Sequence, residues 1–395
     1  MKHTTRISAL ALCVSFVLCG CNNKPAEQTT TAASETTAAV TEAPAPTVDY
    51  GEMRDIPLKD LIAEMKTGWN LGNTLDAPGG ETAWGNPVTT KEMIDFVAAA
   101  GFDVIRLPTT WDQHIDDENG YKIDEEWLAR VHEIVDYAFD NGMYVILNTH
   151  HETNWIKPLT EEVDSFLPRF KALWTQIAES FEPYGDHLLF EGLNEPRVEG
   201  GPNEWNGGTK DNRAALNTLN KAFVDTVRAT GGNNSKRALL ITTVAAAVVD
   251  SAMKALEFPD DDRVLMSLHA YTPYNFTYHS MSEWEVYDYS EQVGNDIDNV
   301  FDKIDSYYTS KGIPVIITEY GSQSKSRPIT EERIDDQNIE WVKHYLGRAK
   351  QSGIPCVWWD NNCYYGSGER FGIFDRRNMK WFVPDLVDAI MSVYQ

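Results

Sequence analysis

The chain is 395 residues long, 42% hydrophobic and 24% charged, enough to build a sizeable core in one large domain or two ordinary ones. A net charge of -26 at pH 7 argues against nucleic acid and other polyanions as partners. Three of the five cysteines fall in the first 21 residues, so no disulfide framework is implied, and Cys356 and Cys363 are expected as two free thiols.

Residues 1–20 begin with Lys2 and Arg6 and continue as an apolar run too short to span a membrane, which reads as an export signal. Its end, Leu18-Cys19-Gly20-Cys21, resembles the lipobox of bacterial lipoproteins. That resemblance makes Cys21 the lipidated first residue, the single membrane attachment, and places the mature protein at the cell surface. Residues 21–48 are mainly Thr, Ala, Glu and Pro, with too little apolar surface to offset chain entropy, and are expected to form a disordered tether.

From residue 49 to 395 one pattern persists. Short apolar runs are predicted strands at 68–72, 104–108, 144–149, 188–194, 238–242, 264–269, 314–318 and 356–359. Amphipathic runs between them predict helices at 90–100, 125–141, 162–181, 211–230, 292–310 and 331–351. Several close on glycine, as at Gly101, Gly142 and Gly353, where a left-handed cap is wanted. Strands alternating with helices imply parallel pairing, and eight repeats fit a single (β/α)8 TIM barrel better than an open sheet. No Gly-x-Gly-x-x-Gly follows a strand, so a dinucleotide cofactor is disfavoured, and no cofactor is expected.

In such a barrel the strand ends share one face, which collects Asn70, Asn73, Arg106, His150, Asn194, Glu195, His269, Tyr271, Glu319 and Trp359. Two apolar runs end in carboxylates, Glu195 before Pro196 and Glu319 before Tyr320-Gly321. Paired carboxylates are what glycosidic bond cleavage needs: one donates a proton, the other attacks the sugar. Beside a carboxylate, Arg106 favours its ionised form. Asn194 has an amide for a sugar hydroxyl, Tyr271 a hydroxyl for the nucleophile, and His150 and His269 orient the other carboxyl. Glu191, four before Glu195, is read as barrel lining. Adjacent His150 and His151 invite a metal, but the spacing lacks the His-Glu-x-x-His pattern and successive strand residues point to opposite faces, so no metal is expected.

The segments Gly68-Trp69-Asn70-Leu71-Gly72-Asn73-Thr74-Leu75-Asp76, Ile105-Arg106-Leu107-Pro108, Asn148-Thr149-His150-His151-Glu152, Leu193-Asn194-Glu195-Pro196-Arg197, His269-Ala270-Tyr271, Thr318-Glu319-Tyr320-Gly321 and Trp358-Trp359-Asp360-Asn361 resemble glycoside hydrolase family 5, in its bacterial endoglucanase and xyloglucanase branch. The resemblance implies Glu195 as acid/base and Glu319 as nucleophile, with Arg106, His150, Asn194, His269, Tyr271 and Trp359 around the reacting sugar. It also puts Asn73 and Asp76 along the non-reducing side of a cleft. Of the two adjacent tryptophans, Trp359 is expected in the site and Trp358 in the core. Trp84, Trp111 and Trp359 are expected as stacking floors of an open groove. The expected activity is retaining endo-hydrolysis of a β-1,4-glucan by a monomer. Xyloglucan, mixed-linkage glucan, xylan or mannan are alternative backbones, and a non-catalytic glycan-binding lipoprotein is the alternative of another class.

Overall fold

Eight parallel strands close into a barrel in chain order: β1 (Thr67–Leu71), β2 (Val104–Leu107), β3 (Tyr144–Asn148), β4 (Leu188–Glu191), β5 (Leu239–Ala247), β6 (Val264–His269), β7 (Val315–Tyr320) and β8 (Cys356–Asp360). The computed structural model describes residues 49–278, 286–326, 332–366 and 368–395. The export signal, Cys21 and most of the tether lie outside the described residues.

Strand alternation divides the core in two. Outward residues such as Ile105, Leu107, Val145, Leu147 and Phe190 pack under the helices Lys91–Ala99, Glu125–Phe139, Val163–Ser180, Lys210–Ala229, Glu291–Tyr307 and Asp335–Ser352. Inward residues Val104, Ile146, Leu189, Leu240, Leu265, Ile316 and Val357 form a separate apolar layer low in the barrel. The helix Leu58–Glu64 plugs that end with Leu58, Leu61 and Ile62. Its i, i+3, i+4 spacing was legible, but the helical reading of the chain began only at residue 90.

One step further along six of the eight strands the inward residues turn polar: Asn70, Arg106, Asn148, Glu191, Ser267 and Thr318, all fully buried. Parallel register levels them, with Asn70 opposite Arg106 and Asn148 opposite Glu191. The barrel therefore changes from an apolar floor to a polar upper layer along its axis. At β6–β7 the register shifts between Leu268 and His269, so that His269 pairs with Glu319. Such an irregularity re-aims side chains, and here it levels those two residues at the mouth.

Three strand ends differ from expectation by two residues or more, and the largest departure is β5, which runs on to Ala247 instead of stopping at residue 242. β4 closes at Glu191, so Asn194 and Glu195 stand on the loop beyond it, tied back by the Asn194 amide donating to Thr149 O at 3.0 Å. Gly192 starts that loop because a Cβ there would meet the Phe223 ring at 2.7 Å. β7 runs two residues beyond expectation and holds Glu319 within the strand. Cys356 and Cys363 are both unbridged.

Candidate active site

The mouth is organised by Arg106, which is fully buried. Its Nη1 donates to Glu319 Oε1 at 2.7 Å and to Asn70 Oδ1 at 3.0 Å. Its Nη2 donates to Asn194 Oδ1 at 2.7 Å, and its Nε to Glu191 Oε2 at 2.8 Å. Because Asn194 spends its oxygen on Arg106, its NH2 is the group left for a sugar hydroxyl. Glu191 lines the barrel as expected, accepting also from Asn148 Nδ2 at 2.8 Å and from the Ser267 hydroxyl.

Above this layer the two glutamates approach each other. Tyr271 donates its hydroxyl to Glu319 Oε2 at 2.8 Å. His269 Nδ1 lies 2.8 Å from Glu195 Oε1 and 3.4 Å from Glu319 Oε2. A carboxylate oxygen of Glu195, one of Glu319 and a ring nitrogen of His269 all lie within 4.8 Å of one another. Burial pushes the Glu195 carboxyl up, but the His269 hydrogen bond and the charges of His269, Arg197 and His151 bring it below its ordinary value. Burial pulls His269 down, yet Glu319 and Glu195 together carry it above 6.5. Both shifts favour a proton held between Glu195 and His269.

Among the described residues Glu195 is hydrogen-bonded by His269, not by His150. Its ring lies parallel to Trp359, 5.8 Å between centroids, and its Nδ1 faces Asn148 Nδ2 at 3.1 Å. Thr109 N donates to Asn148 Oδ1, which fixes that amide as a donor toward His150 and leaves the imidazole proton on Nε2. Burial pulls His150 well below 6.5, so it is neutral. Trp359 is 7% exposed and closes over Gly72, where a Cβ would meet its ring at 2.9 Å. Trp358 is fully buried on the helix side, its Nε1 donating to Phe371 O at 2.9 Å.

Three expectations are corrected. Asp76 does not line the cleft: it is fully buried, and its carboxylate accepts from the Asn73 and Thr74 amides at 3.1 and 2.6 Å. It shapes the turn that presents half-buried Asn73, whose φ of 56° needs such support. Trp111 is no stacking floor, because it is fully buried with its Nε1 on Asn148 O at 2.9 Å. His150 and His151 do not diverge either, since β3 ends at Asn148 and both sit on the following loop, rings 4.5 Å apart and edge-to-face. With Asp76 they offer ligand atoms within 4.8 Å of one another, but the His150 proton occupies Nε2 where an ion would need a lone pair. Trp84 does reach the mouth, edge-on to His151 at 5.6 Å.

The sequence profile of the cellulase family, glycosyl hydrolase family 5, matches residues 70–364. The chain belongs to glycoside hydrolase family 5. It is 50% identical over 348 residues to Endoglucanase A of Ruminococcus albus, covering 87% of this chain and 94% of that one. Its fold matches a broad-specificity endoglucanase from Ruminococcus champanellensis with bound cellotriose, at a TM-score of 0.82 and 40% identity, over 86% of this chain and all of that one. A xyloglucan-specific endo-β-1,4-glucanase from a metagenomic library, in complex with cellotriose, matches at a TM-score of 0.80 and 44% identity, over 85% and 98%.

Sequence reasoning missed two supports of this family 5 site. Arg376 is buried and donates to Gly72 O at 3.0 Å, Thr74 Oγ1 at 2.8 Å and Asp360 O at 2.5 Å, clamping the loops after β1 and β8. Its only signal was an arginine beside a short apolar pair, Ile373-Phe374. Glu369 accepts from Tyr278 at 2.7 Å, and burial, then Glu195 and Glu319, raise its carboxyl above its ordinary value. Nothing in the sequence marked that loop as facing the glutamates.

Proposed function

We infer that this family 5 hydrolase is a retaining endo-β-1,4-glucanase in which Glu319 attacks and Glu195 donates and recovers the proton. The observation that carries this reading is the separation of the carboxylates. An oxygen pair within 4.8 Å fits the roughly 5–5.5 Å of double displacement and falls short of the about 6.5–9.5 Å that leaves room for an inverting water. Glu319 Oε1 is anchored by Arg106 and Oε2 by Tyr271, which leaves an oriented oxygen for the anomeric carbon. As the C1–O bond breaks, the proton shared by Glu195 and His269 passes to the glycosidic oxygen, and the leaving chain departs as an alcohol. The ester on Glu319 is then attacked by water, whose proton returns to Glu195, and two inversions restore the β configuration.

The relatives support a glucan backbone, and the xyloglucan-specific neighbour supports tolerance of side chains on it. A non-catalytic glycan-binding role is not favoured, because Glu195 and Glu319 are both present and held by hydrogen bonds. We further propose that the enzyme is a monomer tethered at the cell surface through Cys21. The test of the mechanism is a 2-deoxy-2-fluoro cellobioside with a good leaving group, which lets the first step outrun the second. Peptide mass spectrometry is expected to find the sugar on segment 314–321, and NMR to find the β-anomer as first product. A label on Glu195, or an α-anomer first, overturns it.

A further inference from the structure

A third carboxylate stands at the mouth, and the double displacement above makes no use of it. Glu369 lies exposed on the loop after β8, and that loop is tied down residue by residue. The Glu369 carbonyl accepts from Asn361 Nδ2 at 3.2 Å, and the Arg370 carbonyl from the Ser324 amide at 2.8 Å. The Phe371 carbonyl accepts from Trp358 Nε1 at 2.9 Å, and the Gly372 amide donates to Cys363 O at 2.8 Å. The side chain is fixed as well, since Tyr278 donates its hydroxyl to Glu369 Oε1 at 2.7 Å. A glutamate kept only for surface charge needs no such anchoring.

A chain of rings connects it to Glu319. Tyr278 packs on Phe371 with centroids 5.9 Å apart, Phe371 packs on Tyr271 at 5.3 Å, and Tyr271 donates to Glu319 Oε2 at 2.8 Å. Across such a wall a charge is screened less than in open water. The influence is mutual. The surrounding protein raises the Glu369 carboxyl; the Tyr278 hydrogen bond opposes this, and Glu195 and Glu319 add to it. Tyr271, between them, is raised by burial and then by Glu319, Glu195 and Glu369. Beyond burial and their own hydrogen bond, Glu195 and His269 face four further groups. Arg197 and His151 draw Glu195 down, Arg106 draws His269 down, and Glu319 lifts His269. Cations there loosen the shared proton, and negative charge retains it.

We propose, resting on the glucanase reading, that Glu369 is a positioning residue for this reaction: its negative charge holds the proton on the Glu195–His269 pair until the glycosidic oxygen takes it. Glu369 acts across the cleft and moves no proton itself. The same charge makes Glu319 harder to ionise, so it displaces the acid and the alkaline limit of activity in one direction, toward higher pH.

The test is the pH profile of kcat/KM on cellotetraose. Glu369→Gln keeps an acceptor for Tyr278 and removes the charge, so both limbs should move to lower pH by about half a pH unit to one. The displacement should shrink at about 1 M salt. Glu369→Lys reverses the charge at an exposed position and should roughly double it, whereas Glu369→Asp should keep both limbs near wild type. On β-cellobiosyl fluoride, whose departure needs far less protonation, the acid limb alone should report the change. A lower plateau with both limbs in place would assign Glu369 to substrate contact or loop support, and limbs that move in opposite directions would exclude a common charge; either result overturns the proposal. A wild-type profile with no alkaline limb overturns the reading of Glu195 and this proposal with it. A wild-type limb that neither Glu369→Gln nor Glu369→Lys moves overturns the role of Glu369 alone.

Discussion

Glu195→Gln isolates the proton from everything else at that position. The amide keeps the volume of the carboxyl, can still accept from His269 at the 2.8 Å position, and leaves Arg197 bound to Glu199 and Glu204. What disappears is the group that passes the shared proton to the glycosidic oxygen. A positioned acid contributes roughly 10²–10⁴-fold, or about 2.7–5.5 kcal/mol, so cellotetraose hydrolysis should fall by that factor. β-Cellobiosyl fluoride needs far less protonation, so its first step should stay close to wild type while the second, lacking its base, stalls. The assay is a stopped-flow burst on the fluoride, followed by azide, an anion that attacks the ester without a base and should release β-cellobiosyl azide. The pH profile adds an independent check. His269 is raised above 6.5, so the shared proton is present below that range and lost as pH rises through the raised value. Wild-type kcat/KM on cellotetraose should therefore fall on an alkaline limb above 6.5, a limb that the first step of Glu195→Gln on the fluoride should lack. Equal losses on both substrates, an α-azide, or an unchanged alkaline limb would refute the argument.

Trp359→Ala should lower turnover roughly tenfold or more through loss of a sugar-facing ring, whereas Trp358→Ala should cost about 3–5 kcal/mol of stability with activity per folded molecule retained. The reverse pattern in paired denaturation and kinetics would show the two rings exchanged. His132 stacks on Phe181 at 3.8 Å, and burial holds it down to about 4, so it folds uncharged. The unfolded chain takes up that proton from about pH 6.5 downward, so stability should fall by about 2–3 kcal/mol between pH 6.5 and 4. His132→Gln should flatten this slope in guanidinium titrations, and parallel slopes would contradict it. Cys21→Ala should move the protein from the membrane to the soluble fraction, and a chain starting at Asp49 should keep full activity; retention on membranes sinks the anchor.

The barrel was legible because its period is simple. Each parallel strand is buried on both faces, so it appears as an apolar run, and the polar residue that follows marks the mouth. What the runs could not show is where hydrogen bonding stops. Asn194 and Glu195 continue the run that starts at Leu188-Leu189-Phe190 yet lie off the ladder, because Gly192 sits against the Phe223 ring and the chain turns there. The resemblance misplaced Asp76, and residue type misplaced Trp111. An acidic residue and an aromatic near a mouth fit a cleft equally well as a turn-forming carboxylate and a core indole, and only their backbone partners decide. Arg376 and the helix Leu58–Glu64 went unread for a related reason: each acts on a part of the barrel far from it in sequence, Arg376 on Gly72 and Thr74 and the helix on the barrel floor.

The arginine at position 106 explains why the two glutamates at the mouth need the layer beneath them. Two buried carboxylates flank one guanidinium, Glu191 on the Nε side and Glu319 on Nη1, while Asn70 and Asn194 take the remaining directions. Desolvating three charges is costly, and replacing such a set by apolar side chains is often neutral or stabilising. Its retention at the barrel mouth is therefore understood through position, not stability. A guanidinium holds its donors in one plane, so four acceptors on β1, β4, the loop after β4 and β7 are fixed relative to one another once each has its bond. A lysine carries the same charge but no plane, and could pair with Glu319 while leaving Asn194 free to turn. Because Asn194 immediately precedes Glu195, the plane of Arg106 sets the approach of Glu195 as well as of Glu319. The spacing of Glu195 and Glu319 is thus held by a residue that hydrogen-bonds only one of them.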